Sequence, residues 1–284
     1  MESINVTEPA AMPQSSEPTI RRRSRRNPRR LILPVSSLIV FLTAWEYLPQ
    51  VLNTPEYVVP RLSRVLSVFA SPGTWQLYVN NGLVTISEAM AGLAFGTVIG
   101  FSLGVLFAQF EWLHRTFYPY IVSIQAVPKV ALAPLFVVWL GFGVESTILV
   151  VFLLTLFPIL VNTIAGMRSA SEDSVDLFRV IGASRTQTLF KLLIPGAMPS
   201  FLSGFEVAVV NSMLGAIVGE FVGAQAGLGV LILQAQFHMN VAAVFSILIV
   251  LAAYGVTMNF IVRYLRRRIL FWMPLESQPR AMSK

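Results

Sequence analysis

The sequence predicts an all-α integral membrane protein with about six transmembrane helices and one helix–turn–helix loop. Three observations predict it. Hydrophobic residues fill 55% of the 284 positions and charged residues only 12%, about half the charged share of an average soluble chain. Six apolar stretches, at 31–49, 83–109, 118–140, 147–166, 198–222 and 240–262, are long enough to span, at about 20 residues per helical crossing. Basic residues gather in alternate connections, as they do on the cytoplasmic side of real crossings.

The chain opens on a tail, 1–30, expected to be disordered and cytoplasmic. Met1 to Ile20 is polar and rich in Pro, Ser and Glu, too poor in apolar side chains to order itself. "RRRSRRNPRR" (Arg21 to Arg30) then supplies seven arginines, most of the net charge of +7. An arginine run also suits nucleic acid. Here no aromatic residue interleaves it and an apolar span follows at once, so it is a cytoplasmic anchor and no nucleic-acid partner is expected. "SRRNPRRLIL" has the paired arginines of an export signal, but a proline follows and no small-residue cleavage site closes the run. The other basic segments are 110–117 (Arg115), 167–197 (Arg168, Arg179, Arg185, Lys191) and the C-terminal region (Arg263, Arg266, Arg267, Arg268). The opposite connections, 50–82, 141–146 and 223–239, hold only Arg61 and Arg64. Both termini are therefore expected in the cytoplasm, with 31–265 as the membrane domain and 266–284 as a second cytoplasmic tail.

Each span has its own punctuation. The second carries Gly92, Gly96, Gly100 and Gly104 on one helix face, where another backbone can approach closely; packing within the chain is preferred there over a dimer seam. The third has Pro119, Pro128 and Pro134, so it is kinked or discontinuous, a break tolerated where it lines protein or a water path. Lys129 inside it reaches either an interface or a polar cavity. The fifth span is expected to begin after Pro195 and Pro199. Gly204, Ala208, Ser212 and Ala216 recur along it every fourth residue, and Glu220 continues the row. Glu206, Asn211 and Ser212 are polar groups at membrane depth, hence candidates for a translocation path; a structural hydrogen bond to a neighbouring helix is an equal reading for Glu206. The 223–239 stretch, with Gly223, Gly227 and Gly229, is a re-entrant loop or a short helix before the last span.

Much chemistry is missing. There is no cysteine, and His114 and His238 form no metal-ligand spacing. No G-x-x-x-x-G-K-[ST] cradle for ATP phosphates and no G-x-S-x-G elbow occurs. No catalytic residue, metal or cofactor is expected, and the chain reads as a conduit. It is either a channel or secondary transporter working alone, or the membrane half of a machine powered by another chain.

The 167–197 loop discriminates. Ser171 is a good N-cap and acids follow it; Val175, Leu177, Phe178 and Ile181 recur at helical intervals. Gly182 ends that helix, Ser184 with Gln187 makes a capping-box pattern, and a second helix runs on to Pro195. A helix–turn–helix of this kind suits insertion into a groove on a partner. Within it, "DLFRVIGASRTQTLFKLLIP" resembles the EAA loop of bacterial ABC importer permeases, whose pattern is E-A-A-x-x-x-G, nine residues, then I-x-L-P. Asp176, Leu177 and Phe178 stand at the E-A-A positions, Gly182 at the glycine, Leu192 and Ile194 at the apolar positions and Pro195 at the proline. Asp for Glu and two large residues for the alanines are departures. "VPKVALAPLFVVWLGFG" (Val127 to Gly143) and "VGEFVGAQAGLGVLI" (Val218 to Ile232) are similar to the nitrate/sulfonate/taurine-type branch. The resemblance implies a bacterial inner-membrane permease, half of an importer pore, for a small solute such as an organic or inorganic anion. It implies a coupling loop of Asp176, Gly182, Ala183, Ser184, Arg185 and Pro195 docked on a cytoplasmic ATP-binding subunit. It also implies a second permease subunit, as a homodimer, and a periplasmic or lipid-anchored solute-binding protein.

The charge segregation predicts that reporters fused after Arg30 and at Lys284 both read cytoplasmic; a periplasmic signal from either overturns the six-span topology.

Overall fold

The computed structural model describes residues 29–272. The expected tail over 1–28, with most of its arginine run, and the chain beyond 272 lie outside the described residues. Two compact units divide the chain between Trp45 and Glu46, within helix α1 (Arg29–Val51). In the first unit Phe41 and Trp45 tilt together, ring centroids 6.0 Å apart. In the second, Glu46 accepts hydrogen bonds from the Ser63 backbone N–H and hydroxyl at 2.8 and 2.7 Å. Ser63 lies in the first turn of α2 (Leu62–Phe69), where helical N–H groups have no partner of their own.

The body of the second unit is built from α3 (Thr74–Gln109), α6 (Val144–Arg168), α9 (Ile194–Gly223) and α11 (Val241–Ile269). Among the described residues four helices are long and apolar enough to cross a membrane: these, with the ninth counted from Arg185. Between the first and second of them, α4 (Glu111–Gln125), a 3₁₀ turn at Lys129–Leu132 and α5 (Ala133–Leu140) form a pair bent by 84°, a fifth candidate. The expected six therefore rest on counting α1, 23 residues long, and the bent pair as one crossing each.

Proline causes the bend. Pro128 has no N–H to continue the α4 ladder, and its ring restricts the residue before it; Pro134 then sits in the first turn of α5, where a missing N–H costs nothing. Lys129 serves the break itself. Its ammonium donates to the Gln125 carbonyl at 3.1 Å, near the frayed end of α4, and lies 5.0 Å from the Phe157 ring centroid. The second span starts at Thr74, nine positions before its apolar stretch at 83, because the polar "TWQLYVNNG" is already helical.

α6 runs through the centre of the packing. Gly92, Gly96, Gly100 and Gly104 of α3 are all buried and face Val151, Thr155, Ile159 and Thr163 in turn. Both sets of numbers rise together, so the helices are parallel. A Cβ on Gly100 would lie 2.9 Å from the Leu156 carbonyl oxygen, and one on Gly104 2.6 Å from Thr163 Cβ. The four glycines are thus spent inside the chain. On the other side Gly204, Gly215 and Gly219 of α9 meet Pro158, Val151 and Thr147, in antiparallel order. Thr155 ties the α3 seam, its hydroxyl donating to its own Val151 carbonyl at 2.9 Å and reaching the Gly92 carbonyl at 3.3 Å. The stretch read as a re-entrant loop or short helix is a short helix, α10 (Leu228–Phe237). Its Leu228, Leu231 and Ile232 pack with Tyr78 of α3 and Ile247 of α11.

Gly100→Leu should overfill the seam, at a cost of about 1–3 kcal/mol, and lower the thermal stability of the purified protein. Gly255→Ala, whose added Cβ meets nothing within 4 Å, should leave it unchanged or raised. Equal melting temperatures for the two variants would mean the seam carries no load.

Candidate functional site

The loop between α6 and α9 is assembled from local signals. Ser171 caps α7 (Glu172–Val180), its hydroxyl oxygen accepting the Ser174 N–H, and Glu172 and Asp173 occupy the first turn. Asp176 pairs with Arg179 at 2.7 Å across exposed surface, a contact of about 0–1 kcal/mol at best. At the other end the Ala183 N–H bonds back to the Phe178 carbonyl and the Gly182 N–H to the Arg179 carbonyl, at 2.9 and 3.1 Å. These are the two bonds of a Schellman ending, and Gly182 holds its left-handed position with φ +75°. A Cβ at Gly182 would meet nothing within 4 Å, so glycine is needed for the torsion and not for room.

Beyond the turn, Ser184 and Gln187 form a reciprocal capping box. The Ser184 N–H donates to Gln187 Oε1 at 2.9 Å, and the Gln187 N–H to Ser184 Oγ at 3.2 Å. This begins α8 (Arg185–Thr188). The expectation that the second helix stops at Pro195 and a span begins after Pro199 is corrected here. A π turn at Leu189–Leu193 carries α8 into α9 without a break, and the apolar rod runs from Arg185 to Gly223 over 39 residues. Pro195 has no N–H to give the Lys191 carbonyl, and a proline ring in a regular ladder clashes one turn back. The wider π turn directly before it, where the Ile194 N–H reaches the Leu189 carbonyl, makes the accommodation.

Beside its charged residues the loop turns large apolar side chains outward. Leu177, Val180, Ile181 and Phe190 are exposed, Val180 by 84%. Arg185 and Lys191 flank them.

The membrane-depth candidates lie apart from the loop. Glu206 takes Arg266 of α11, its Nη1 reaching both carboxylate oxygens at 3.0 and 3.1 Å. Arg266 was read as the start of a tail, but α11 continues to Ile269, and Arg266, Arg267 and Arg268 occupy its last turn, where the helix dipole favours cations. Asn211 is half-buried and donates its side-chain N–H to the Leu154 carbonyl of α6 at 3.3 Å. Ser212 is only 3% exposed, and its hydroxyl donates to the Val209 carbonyl one turn back. Glu206 and Asn211 therefore keep some accessible surface, while Ser212 is buried. His114 stacks on Tyr118, centroids 4.6 Å apart, and among the described residues no three His, Cys, Asp or Glu side chains gather to hold a metal.

Glu88 is a further buried acid. It sits one turn before Gly92, so it continues the glycine row, and that spacing was the available signal. It is buried beside Glu220. Nearby, Asn81 Oδ1 accepts the Gly227 N–H and Thr85 Oγ1 the Leu228 N–H, each at 2.9 Å, so α3 holds the turn that leads into α10.

With this geometry in place, relatives can be compared. Residues 96–271 match the family described as binding-protein-dependent transport system inner membrane component. The formylaminopyrimidine transport permease ThiX of Halalkalibacterium halodurans is 31% identical, over 84% of this chain and 95% of that protein. The riboflavin transport system permease RibX of Chloroflexus aurantiacus is also 31% identical, over 90% and 95%. The taurine transport system permease TauC of Escherichia coli is 27% identical, over 86% and 90%. Among solved structures, a chain of the inward-facing MetNI methionine ABC transporter superposes with a TM-score of 0.63 at 21% identity, covering 70% of this chain and 99% of that one; this likeness is one of fold.

The Glu206–Arg266 pair predicts a rescue. Its side chains are 27% and 39% exposed, so Glu206→Arg should cost only about 1 kcal/mol of stability, with uptake reduced. Adding Arg266→Glu should restore both; a double variant no better than the single one would show that the pair does not act as a pair.

Proposed function

The chain belongs to the family of binding-protein-dependent transport system inner membrane components, and from that premise we propose how its loop and path work. It is a multi-pass inner-membrane permease subunit of an ABC importer. Two copies form the pore as a homodimer, both termini lie in the cytoplasm, and the Gly182 turn docks on a cytoplasmic ATP-binding subunit that supplies the hydrolysis. A periplasmic or lipid-anchored solute-binding protein delivers the solute. That solute is small. An organic or inorganic anion fits the taurine relative, and the formylaminopyrimidine and riboflavin relatives widen the range to heteroaromatic compounds.

One observation carries the coupling role: a turn with exposed apolar residues is the end of an unbroken 39-residue helix. Exposed Leu177, Val180 and Ile181 favour burial against another protein, at about 25 cal/mol per Å² removed from water. Movement of a partner that grips the turn is carried along the rod into the membrane. A partner changes the permease only by binding its two states unequally, and a rigid lever converts that inequality into a different arrangement of α9 against α6. Glu206, Asn211 and Ser212 are the proposed path. Ser212 reaches it only in a state where α9 has moved against its neighbours, since in this one it is buried.

Gly182→Val tests the coupling. A β-branched residue at positive φ is strained by about 1–3 kcal/mol, while the open space around position 182 spares the fold. Membrane levels should stay normal, with ATP-binding subunit co-purification weakened and uptake lost; full binding and full transport would reduce the loop to a connector. Asn211→Cys and Ser212→Cys test the path, and the chain has no native cysteine to interfere. Asn211→Cys should react with small polar thiol reagents at rest and Ser212→Cys only during turnover. No labelling of either in any state would return both to helix packing.

A further inference from the structure

The end of α9 remote from Gly182 holds a cluster for which the transport cycle proposed above has no use. Glu88 of α3 and Glu220 of α9 are each 1% exposed, and their carboxyl groups are neighbours. Among the described residues both oxygens of Glu88 and Oε1 of Glu220 lack a hydrogen-bond partner, as does the buried Thr147 hydroxyl of α6. Register brings Thr147 to the same place. Glu88 and Thr147 each stand one turn before Gly92 and Val151, which face each other across the α3–α6 seam, and Gly219 of α9 lies against Thr147. Glu220 Oε2 accepts the Gly229 N–H in the first turn of α10.

Among the described residues no cation offsets the two acids. α3, α5, α9 and α10 carry no lysine or arginine. Arg168 of α6 and Arg263 to Arg268 of α11 lie at the opposite ends of their helices, and Arg64 of α2, Glu145 of α6 and His238 after α10 are exposed. Tyr78 of α3 is occupied with Ser246 of α11, and Tyr254 of α11 lies over Gly82. Two adjacent ionised carboxylates in a buried site repel each other, and each bears a desolvation penalty. One proton converts the pair into a carboxylic acid donating to a carboxylate, which satisfies an oxygen on each.

We infer that Glu88 and Glu220 form a proton-binding site, one proton held between them, that fastens the turn from Gly223 to Gly229 onto α3. Glu220 is the anionic member, because it alone has a backbone N–H and the start of a helix beside it. Glu88 carries the proton. The turn rests directly on the pair: Gly227 has φ +128°, and a Cβ there would strike the Glu220 carboxyl group. Release of the proton leaves two anions under that turn and frees the backbone that Asn81 and Thr85 hold.

The complete transporter, with its ATP-binding subunits and reconstituted in lipid nanodiscs, is titrated while its infrared spectrum is recorded. The carbonyl band of a buried carboxylic acid should be present at neutral pH. It should vanish in Glu88→Gln and persist in Glu220→Gln and Glu145→Gln. In parallel, Ala224→Cys in this cysteine-free chain should be labelled severalfold faster as pH is raised when its rate is divided by that of an exposed reference cysteine, Ser71→Cys, at the same pH, and Glu88→Gln should make that ratio independent of pH. The inference is overturned by an acid band that is absent at neutral pH or survives Glu88→Gln. It is equally overturned by a labelling ratio that follows sodium at fixed pH, since an alkali cation would then hold the pair, or by a ratio that is flat with pH in the unaltered pair.

Discussion

Lipid gives an apolar helix no reason to prefer another apolar helix to acyl chains, so α3, α6 and α9 need some other reason to stay together. Glycine supplies it. Along α3 and along α9, side chains are removed at the positions where α6 passes, and backbones come close enough for the Leu156 and Pro158 carbonyls to touch what would be Cβ positions. Dispersion between densely packed atoms then replaces the hydrophobic effect. The two seams share α6, so α6 fixes where α3 and α9 lie relative to each other. Everything at either end of α9 inherits its position from that packing, including the Gly182 turn and the Glu88–Glu220 pair.

The same economy explains how proline is used. A break in a helix at membrane depth leaves backbone groups unpaired, and the cost must be met locally. At Pro128 the chain takes the break: it bends by 84° and gives one freed carbonyl, that of Gln125, the Lys129 ammonium. At Pro195 it refuses the break and widens the ladder into a π turn. The first solution produces a corner and the second preserves a rod. A rod is what a lever requires, since a corner between the Gly182 turn and the membrane would absorb motion instead of passing it on.

Much of this was legible in the sequence because it depends on local rules. The Gly182 ending, the Ser171 and Ser184 caps and the glycine row of α3 follow from residue type and spacing alone. The hidden parts depend on partners distant in the chain. Pro195 looks like a stop because propensity cannot see the π turn that carries the helix past it. "TWQLYVNNG" looks like a loop because its asparagines are polar, yet Asn81 is needed there to accept the Gly227 N–H. Glu206 could be read as path or as partner, and only the fold shows that Arg266, sixty positions on, is within 3.0 Å. Glu88 stands in the glycine row as an acid in an apolar run, which marks it as buried, but what it does depends on Glu220, which spacing alone cannot place beside it.

The two ends of α9 differ in what they leave unsatisfied, and this gives the helix a direction. At the Gly182 end the Gly182, Ala183, Ser184 and Gln187 N–H groups are held by local bonds and the deficit is apolar: Leu177, Val180 and Ile181 face water. A second protein removes that deficit. At the Gly227 end Leu228, Leu231 and Ile232 are buried and the deficit is polar: carboxyl oxygens without donors among the described residues. A protein surface cannot easily reach those atoms, but a proton can. Deficits of such different kinds respond to different agents, so the two ends can be biased independently. The helix between them is continuous, and from Ala197 to Gly219 it packs on α6, so a bias at either end acts on the same element. That is the condition under which a docking event on one side and a protonation event on the other become coupled free energies of a single two-state body.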